Sequence, residues 1–167
     1  MREIKFRGKR LDNGEWVKGS GIRINKGGTV FIYDEISLRW YEVDPETVGQ
    51  YSGLKDKNKW EIYEGDIVEF LRVRKEGTTL WGRVEDTSIE KLRGLIKFKE
   101  GGFYIDGVAD FPFESYLSNW YFSESPQGYH SHLHCHAEEQ TGYFQAEYED
   151  LEVIGNIYDN PELLREV

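Results

Sequence analysis

The sequence predicts an all-β fold, a small barrel or sandwich built from many short strands. Apolar and polar residues alternate over short runs, turn-forming segments containing many of the 18 glycines separate those runs, and helical periodicity is scarce. Short strands at similar spacing with little helix are typical of β-barrels and β-sandwiches. A chain of 167 residues can bury a core of its own, and the lack of a repeat or linker-like segment favours one domain.

The chain opens on a predicted hairpin. Ile4 and Phe6 alternate with charged residues, as in a half-buried strand, and Trp16 follows the turn signal Asp12-Asn13-Gly14. We therefore expect two antiparallel strands on either side of that turn.

The next predicted strands precede a single helical turn. Residues 30–33 are β-branched and aromatic, and residues 39–43 are their expected partner. Asp44 followed by Pro45 is typical of a helix cap with proline at the first helical position, which predicts one short turn. Residues 48–51 are expected to return to extended structure.

The central part of the chain contains the clearest predicted hairpin. Residues 67–70 form a predicted strand after a tight turn at Glu64-Gly65-Asp66. Residues 95–99 and 103–105 alternate in polarity on either side of a glycine-containing turn, which predicts that they pair.

Helix is expected at only two further places. Residues 88–92 predict a short helix, and residues 160–164 predict a final turn in which Asn160 is the cap and Pro161 follows it. Between them, residues 151–154 predict the last strand.

Charge is distributed unevenly along the chain. The whole chain has a net charge of −10, but residues 1–99 hold 20 basic and 17 acidic residues, whereas residues 100–167 hold 14 acidic residues and one basic residue, Arg165. The acidic part is also rich in aromatic residues, so we expect it to be folded, with an acidic, aromatic-rich insertion at about residues 107–150.

Several classes of protein are disfavoured by the sequence. The chain has no Gly-x-Ser-x-Gly motif, no phosphate-cradling glycine loop and no Cys-x-x-Cys pair. Acyl transfer, nucleotide hydrolysis and dithiol redox chemistry therefore lack a sequence basis. Cys135 is the single cysteine, which excludes an intrachain disulfide. No stretch approaches the roughly 20 apolar residues that span a bilayer, so we expect a cytoplasmic protein with no membrane partner.

Three blocks of the sequence resemble the YopX family of phage and prophage proteins. They read REIKFRGKRLDNGEWVKG at residues 2–19, VDPETVGQYSGLKDKNKWEIYEGDIVEF at 43–70 and LEVIGNIYDNPELL at 151–164. The resemblance implies a small SH3-like β-barrel encoded in a phage or prophage, and it implies no activity. This chain departs from the family at Asn58-Lys59-Trp60, where a glycine that would tolerate a left-handed backbone is replaced by Lys59.

The resemblance covers both ends of the chain, and a small barrel closes by joining its ends, so we expect the N-terminal and C-terminal blocks to meet.

The apolar residues of the predicted strands also define an expected core. Its expected members are Phe6, Trp16, Tyr51, Ile62, Ile67, Val68, Phe98, Val153 and Ile154.

A histidine tract offers a candidate metal site. In extended structure its four imidazoles would project from one side, where residues two apart can share Zn²⁺ or another transition metal ion. The competing interpretation is an exposed polar loop, because residues 124–142 begin with turn-formers and have few apolar anchors, which predicts a mobile surface excursion. The candidate ligands are His130, His132, His134, His136 and Cys135, with Glu138 and Glu139 able to complete the set.

Two other groups of residues are candidate sites. Glu64 and Asp66 could form a catalytic carboxylate pair, but Glu-Gly-Asp also suits a tight turn. A basic cluster containing Phe6 could bind single-stranded nucleic acid, although alternation would place Lys5, Arg7 and Lys9 together on a solvated face. The cluster comprises Arg2, Lys5, Arg7, Lys9 and Arg10.

The sequence therefore favours a non-enzymatic, phage- or prophage-encoded protein-interaction module without a cofactor. Its partner is another protein or a second copy of the chain, because oppositely charged regions of this kind steer association. The alternatives are a metal-binding protein centred on residues 130–136 and a single-stranded nucleic-acid-binding protein. Nucleic acid is the less favoured partner for a chain with an isoelectric point near 4.9.

Overall fold

The structure is a computed structural model. It describes the backbone of residues 3–78, 84–99, 101–107, 115–116, 121–124, 131–134, 136–138 and 144–164, and the side chains of residues 3–73, 88–99, 101–107 and 149–164. Within these residues no helix is long and apolar enough to cross a bilayer.

The fold is all-β, as the sequence predicts. The strands are β1 (Phe6–Lys9), β2 (Trp16–Gly19), β3 (Gly21–Ile24), β4 (Val30–Asp34), β5 (Arg39–Val43), β6 (Gly49–Lys55), β7 (Glu61–Tyr63), β8 (Asp66–Thr78), β9 (Val84–Lys99), β10 (Gly102–Asp106), β11 (Ser115–Tyr116), β12 (Tyr121–Glu124), β13 (Ser131–His134), β14 (His136–Glu138) and β15 (Phe144–Asn156). Short 3₁₀ turns lie at Pro45–Thr47 and Pro161–Leu164.

The described strands form four antiparallel sheets. Their strand orders are β2-β1-β6-β7, β3-β4-β5, β12-β13 and β11-β10-β9-β8-β15-β14. The predicted pairing of β1 with β2, of β4 with β5 and of β9 with β10 is confirmed. The predicted cap is confirmed as well, since the Asp44 carboxylate accepts a hydrogen bond from the Glu46 N–H at 3.0 Å. The arrangement of these sheets as an SH3-like barrel stays a prediction, as do the single domain and its insertion.

The predicted helix at residues 88–92 is wrong, because this segment belongs to β9. It pairs with β8 along its whole length, and Leu92 lies opposite Phe70, with both side chains buried. Two residues further along β8, buried Arg72 lies opposite Glu90 and donates a 3.1 Å hydrogen bond to it. Pairing with a strand about twenty residues away in the chain overrides the local pattern.

Among the described side chains, the apolar core has two parts. One lies between β7, β8, β9, β10 and β15 and includes Ile62, Val68 and Ile96, and the other lies between β2, β4 and β5 and includes Ile32 and Val43. These side chains provide the main apolar burial, each worth roughly 1.5–3 kcal/mol.

The predicted core list is confirmed in part. Tyr51, Ile62, Ile67 and Val68 are buried, whereas Phe6, Trp16, Val153 and Ile154 are half-buried. The prediction that Phe98 belongs to the core is wrong, because 42% of this residue is exposed. It lies on the same face as buried Ile96 but nearer the end of the β9–β10 hairpin, where it contacts the Phe103 ring at 4.9 Å.

Candidate functional site

The candidate site is a cleft of about 450 Å³ between the four-stranded sheet and the C-terminal end of β15. Strands β1 and β2 provide Arg7 and Trp16, the β6–β7 turn provides Trp60, and the end of β15 provides residues 152–156. This volume lies within the range of ligand-binding pockets in proteins, and we call the feature the Arg7 cleft.

A buried ion pair lies at the base of the Arg7 cleft. Arg7 Nη1 is 2.5 Å from Asp66 Oδ1, and the two side chains are 9% and 2% exposed. The second carboxylate oxygen of Asp66 accepts the Tyr63 N–H at 2.7 Å, so both oxygens are engaged. Burial raises the pKa of Asp66, while the charge of Arg7 and the Tyr63 N–H act in the opposite direction. The candidate catalytic pair is thus occupied on its Asp66 side by structural contacts.

The Arg7 guanidinium is also packed between aromatic rings. Its Cζ lies 4.8 Å from the centroid of the Trp16 ring and 5.0 Å from that of the Tyr63 ring, which are cation–π distances. Its Nη2 donates to the Glu64 carbonyl at 3.1 Å, and its Nε is buried without an acceptor in the described part of the chain. Arg7 therefore joins β1 to the β7–β8 turn.

A braced turn holds Trp60 at the rim of the Arg7 cleft. Asp56 is 1% exposed, and its Oδ1 accepts the N–H groups of Asn58 and Trp60, each at 2.8 Å. Its Oδ2 accepts the Val153 N–H at 3.1 Å, which ties the turn to β15. Lys59 adopts the left-handed conformation, with φ of 69°, so the turn geometry that favours glycine forms without one. Trp60 is nevertheless 66% exposed.

Glu61 neutralises the cations on the opposite side of the rim. It accepts hydrogen bonds from Lys5 Nζ at 2.6 Å and from the Tyr63 hydroxyl at 2.8 Å, and Lys18 Nζ lies 3.8 Å away. Burial alone would raise the pKa of Glu61, but these hydrogen bonds lower it overall. Burial and the bond to Glu61 together raise the pKa of the Tyr63 hydroxyl far above its ordinary range.

The N-terminal and C-terminal blocks, residues 2–19 and 151–164, meet beside the Arg7 cleft through their described residues, as predicted. Asp159 bonds Lys9 Nζ through one oxygen and accepts the Trp16 Nε1–H at 2.8 Å through the other. The hydrogen bond from Lys9, with further ones from Asn156 and Trp16, lowers the pKa of Asp159 to about 2. The Trp16 ring also contacts Tyr158, with the ring centroids 5.9 Å apart.

The basic cluster does not form the solvated face that alternation predicts. Arg7 is buried because Tyr63 of β7 and Asp66 at the start of β8 lie against it. Lys5, Lys9 and Arg10 have carboxylate partners in Glu61, Asp159 and Asp12, and Arg2 lies outside the described residues. The nucleic-acid alternative at this strand stays a prediction.

The histidine tract is described only in its backbone and only in part. His132 and His134 belong to β13, which pairs with β12, whereas His136 begins β14 at the edge of the six-stranded sheet. His130 and Cys135 lie outside the described residues. Among the described residues, no group of three or more His, Cys, Asp or Glu side chains is placed to hold a metal ion. Metal binding by the tract and mobility of residues 124–142 therefore stay predictions.

Most of the rim lies outside the candidate sites that the sequence predicts. Asp56, Asn58 and Trp60 belong to none of those sites. Asp two residues before Asn is a known signal for a side chain that bonds its own turn, so the brace was accessible in principle. Nothing in the local pattern indicates that β15 would lie against this turn.

The comparison with known protein families confirms the resemblance that the three blocks indicate. A family model described as YopX protein matches residues 5–165. The chain is also similar to a solved structure, the crystal structure of protein EF1440 from Enterococcus faecalis, with 19% identity, coverage of 96% of this chain and 97% of that chain, and a TM-score of 0.40. The comparison with curated proteins gives no match.

Proposed function

The chain belongs to the YopX family, which indicates a phage-type protein. We propose that it is a non-enzymatic protein-interaction module and that its Arg7 cleft binds a segment of a partner protein. The partner segment places a bulky uncharged side chain against the tryptophans of the cleft.

One observation carries this proposal: the three segments that resemble the family converge on the Arg7 cleft. Arg7, Trp16 and Lys18 come from residues 2–19, and the β6–β7 turn comes from residues 43–70. The remaining wall comes from residues 151–164. Every described residue that lines the cleft falls within one of these segments. The shared segments thus build this concave surface together.

The charges of the cleft favour an uncharged side chain. Arg7 is matched by Asp66, Glu61 by Lys5, and Glu152 by Lys57 at 2.6 Å. A charged ligand group would gain little from groups that are already paired and would lose its own hydration. The exposed ring of Trp60 and the half-buried ring of Trp16 offer apolar area instead.

Trp60 also has the features of a binding hot spot. Tryptophan is enriched among the residues that dominate interface energies. The turn that carries Trp60 is held by three hydrogen bonds to Asp56, so little ordering is required when a partner binds.

A library of random peptides displayed on phage particles and selected on the immobilised protein tests the proposal. We expect the enriched peptides to share a bulky apolar or aromatic residue. Trp60→Ala should weaken their binding by about tenfold or more, because the exposed ring is lost while the turn is kept.

Ile89→Ala is the matched control, because Ile89 is also 66% exposed but lies on β9, outside the Arg7 cleft. Its binding should equal that of the wild type. The proposal is contradicted if no peptide is enriched, or if Trp60→Ala binds the enriched peptides as tightly as Ile89→Ala does.

A further inference from the structure

In the described part of the chain, one face of the three-stranded sheet does not pack on the apolar core. Residues of β3, β4 and β5 that point away from Ile32 and Val43 share this face, and Trp40 remains 43% exposed there. We call it the outer face, and its residues are Gly21, Arg23, Phe31, Tyr33, Trp40 and Glu42.

The outer face is rich in aromatic side chains. A side chain at position 21 would meet Tyr33 Cβ at 3.1 Å and the Trp40 ring at 3.2 Å, so glycine there lets the Trp40 ring lie across the sheet. The Tyr33 and Trp40 ring centroids are 5.3 Å apart. Arg23 extends over the rings of Phe31 and Trp40, at 4.9 and 5.1 Å.

Two opposite charges flank this face without meeting. Arg23 lies opposite Phe31 on one side, and Glu42 lies opposite Phe31 on the other. The backbones at these two positions are therefore separated by two strand spacings, about 10 Å. Neither has an ion-pair partner in the described part of the chain, and both are exposed.

We propose that the outer face binds the outer face of a second copy of this chain, related by a two-fold axis parallel to β4. Such an axis exchanges the β3 side of one copy with the β5 side of the other. It brings Arg23 to Glu42 of the partner subunit, and Glu42 to Arg23 of the partner subunit. Phe31 then packs on the partner's Phe31, and the Trp40 ring, which covers Gly21 of its own copy, packs on the partner's Trp40.

The charge pattern selects a second copy over an unrelated protein or a nucleic acid. One cation and one anion placed symmetrically about an apolar centre are self-complementary under this rotation, whereas a phosphate backbone would meet Glu42 as well as Arg23. Aromatic residues and arginine are also enriched at the centres of protein interfaces.

The size of the outer face predicts a weak dimer. Strands of four or five residues are about 13–17 Å long, so the sheet face is smaller than a standard interface of about 800 Å² on each partner. The β4–β5 turn beside it adds exposed apolar area through Ile36 and Leu38, which are 95% and 69% exposed. Dimerisation should therefore depend on protein concentration.

Sedimentation equilibrium of the full chain over a range of concentrations tests the proposal. The wild type should show a monomer–dimer equilibrium. Arg23→Glu and Glu42→Arg should each weaken the dimer by about tenfold or more, since each places like charges together twice. The double variant R23E/E42R should recover it, and an equimolar mixture of the two single variants should form a heterodimer.

Lys26→Glu provides the matched control for charge, because Lys26 is exposed in the β3–β4 turn and lies off the outer face. Its dimer should be unchanged, and thermal melts verify that every variant is folded. A wild type that stays monomeric up to about 1 mM, which lies at the weak end of specific affinities, overturns the proposal. So do single variants that dimerise normally, or a mixture that forms no heterodimer. Trp60→Ala should dimerise like the wild type, which separates this outcome from failure of the proposed function.

Discussion

The Arg7 cleft and the outer face use arginine on aromatic rings in opposite ways. Arg7 lies over Trp16 and Tyr63, is 9% exposed and has a carboxylate 2.5 Å away. Arg23 lies over Phe31 and Trp40, is exposed and has no ion-pair partner in the described part of the chain. The same contact with aromatic rings therefore stabilises the fold where the charge is neutralised. It leaves a charge available to another molecule where the charge is not neutralised.

Removing the two arginines should show the largest difference between the regions. Arg7→Met leaves the Asp66 carboxylate buried without its cation, which should lower the free energy of unfolding by about 3–5 kcal/mol. Arg23→Met should lower it by less than about 1 kcal/mol, because only an exposed cation–π contact is lost. Urea denaturation of both variants measures the two values.

The double variant R7M/D66N sharpens this comparison. A neutral amide at position 66 removes the buried charge, so the double variant should be less destabilised than the sum of the two single variants. Equal losses for Arg7→Met and Arg23→Met would contradict the assignment of a structural role to one and an intermolecular role to the other.

The braced turns of the two regions should also respond differently. Asp56→Ala removes three hydrogen bonds from a buried site, and we expect a loss of about 2–4 kcal/mol in unfolding free energy. Asp34 makes comparable bonds to Ile36 and Ser37 in the exposed β4–β5 turn. Asp34→Ala should cost about 1 kcal/mol or less, because water can replace those bonds. Chemical denaturation of the pair of variants tests this ranking.

Acid should weaken the junction of the N-terminal and C-terminal blocks beside the Arg7 cleft. The folded pKa of Asp159 is about 2, below its ordinary value of 3.8. A lowered folded pKa means that its contribution to stability is complete above about pH 4 and is lost as the pH falls towards 2. Unfolding free energy measured against pH should show this loss in the wild type, and Asp159→Asn should lack it. Parallel curves for both proteins would exclude a role for this carboxylate.

The smallest effect is expected in the histidine tract, which belongs to neither region. Replacing His130, His132, His134 and His136 with serine should change stability by no more than about 0.5 kcal/mol if the tract is an exposed loop. Metal analysis of untagged wild-type protein should give a value near zero per chain. A value near one ion per chain, with a lower melting temperature for the serine variant, would favour the metal-binding alternative.

Features that depend on near neighbours were predictable from the sequence. The hairpins, the Asp44 cap and the final turn at Pro161–Leu164 all follow from residues a few positions apart. The contact between the N-terminal and C-terminal blocks was predictable because both blocks resemble the family.

The features that could not be predicted from the sequence depend on segments that are distant in the chain. Alternation places Arg7 on one side of β1, but it contains no information about whether β7 and β8 cover that side. Residues 88–92 pair with β8, and their local pattern cannot specify this partner. The outer face requires the register of three strands, so its symmetric charges become visible only when β3 is placed beside β4.

Binding of an enriched peptide and dimerisation, measured side by side on Trp60→Ala and Trp40→Ala, test most directly whether the Arg7 cleft and the outer face act separately. Trp60→Ala should bind the peptide about tenfold more weakly or worse and keep the wild-type dimer. Trp40→Ala should bind the peptide like the wild type and lose the dimer. Loss of peptide binding in Trp40→Ala with retention in Trp60→Ala would contradict the account.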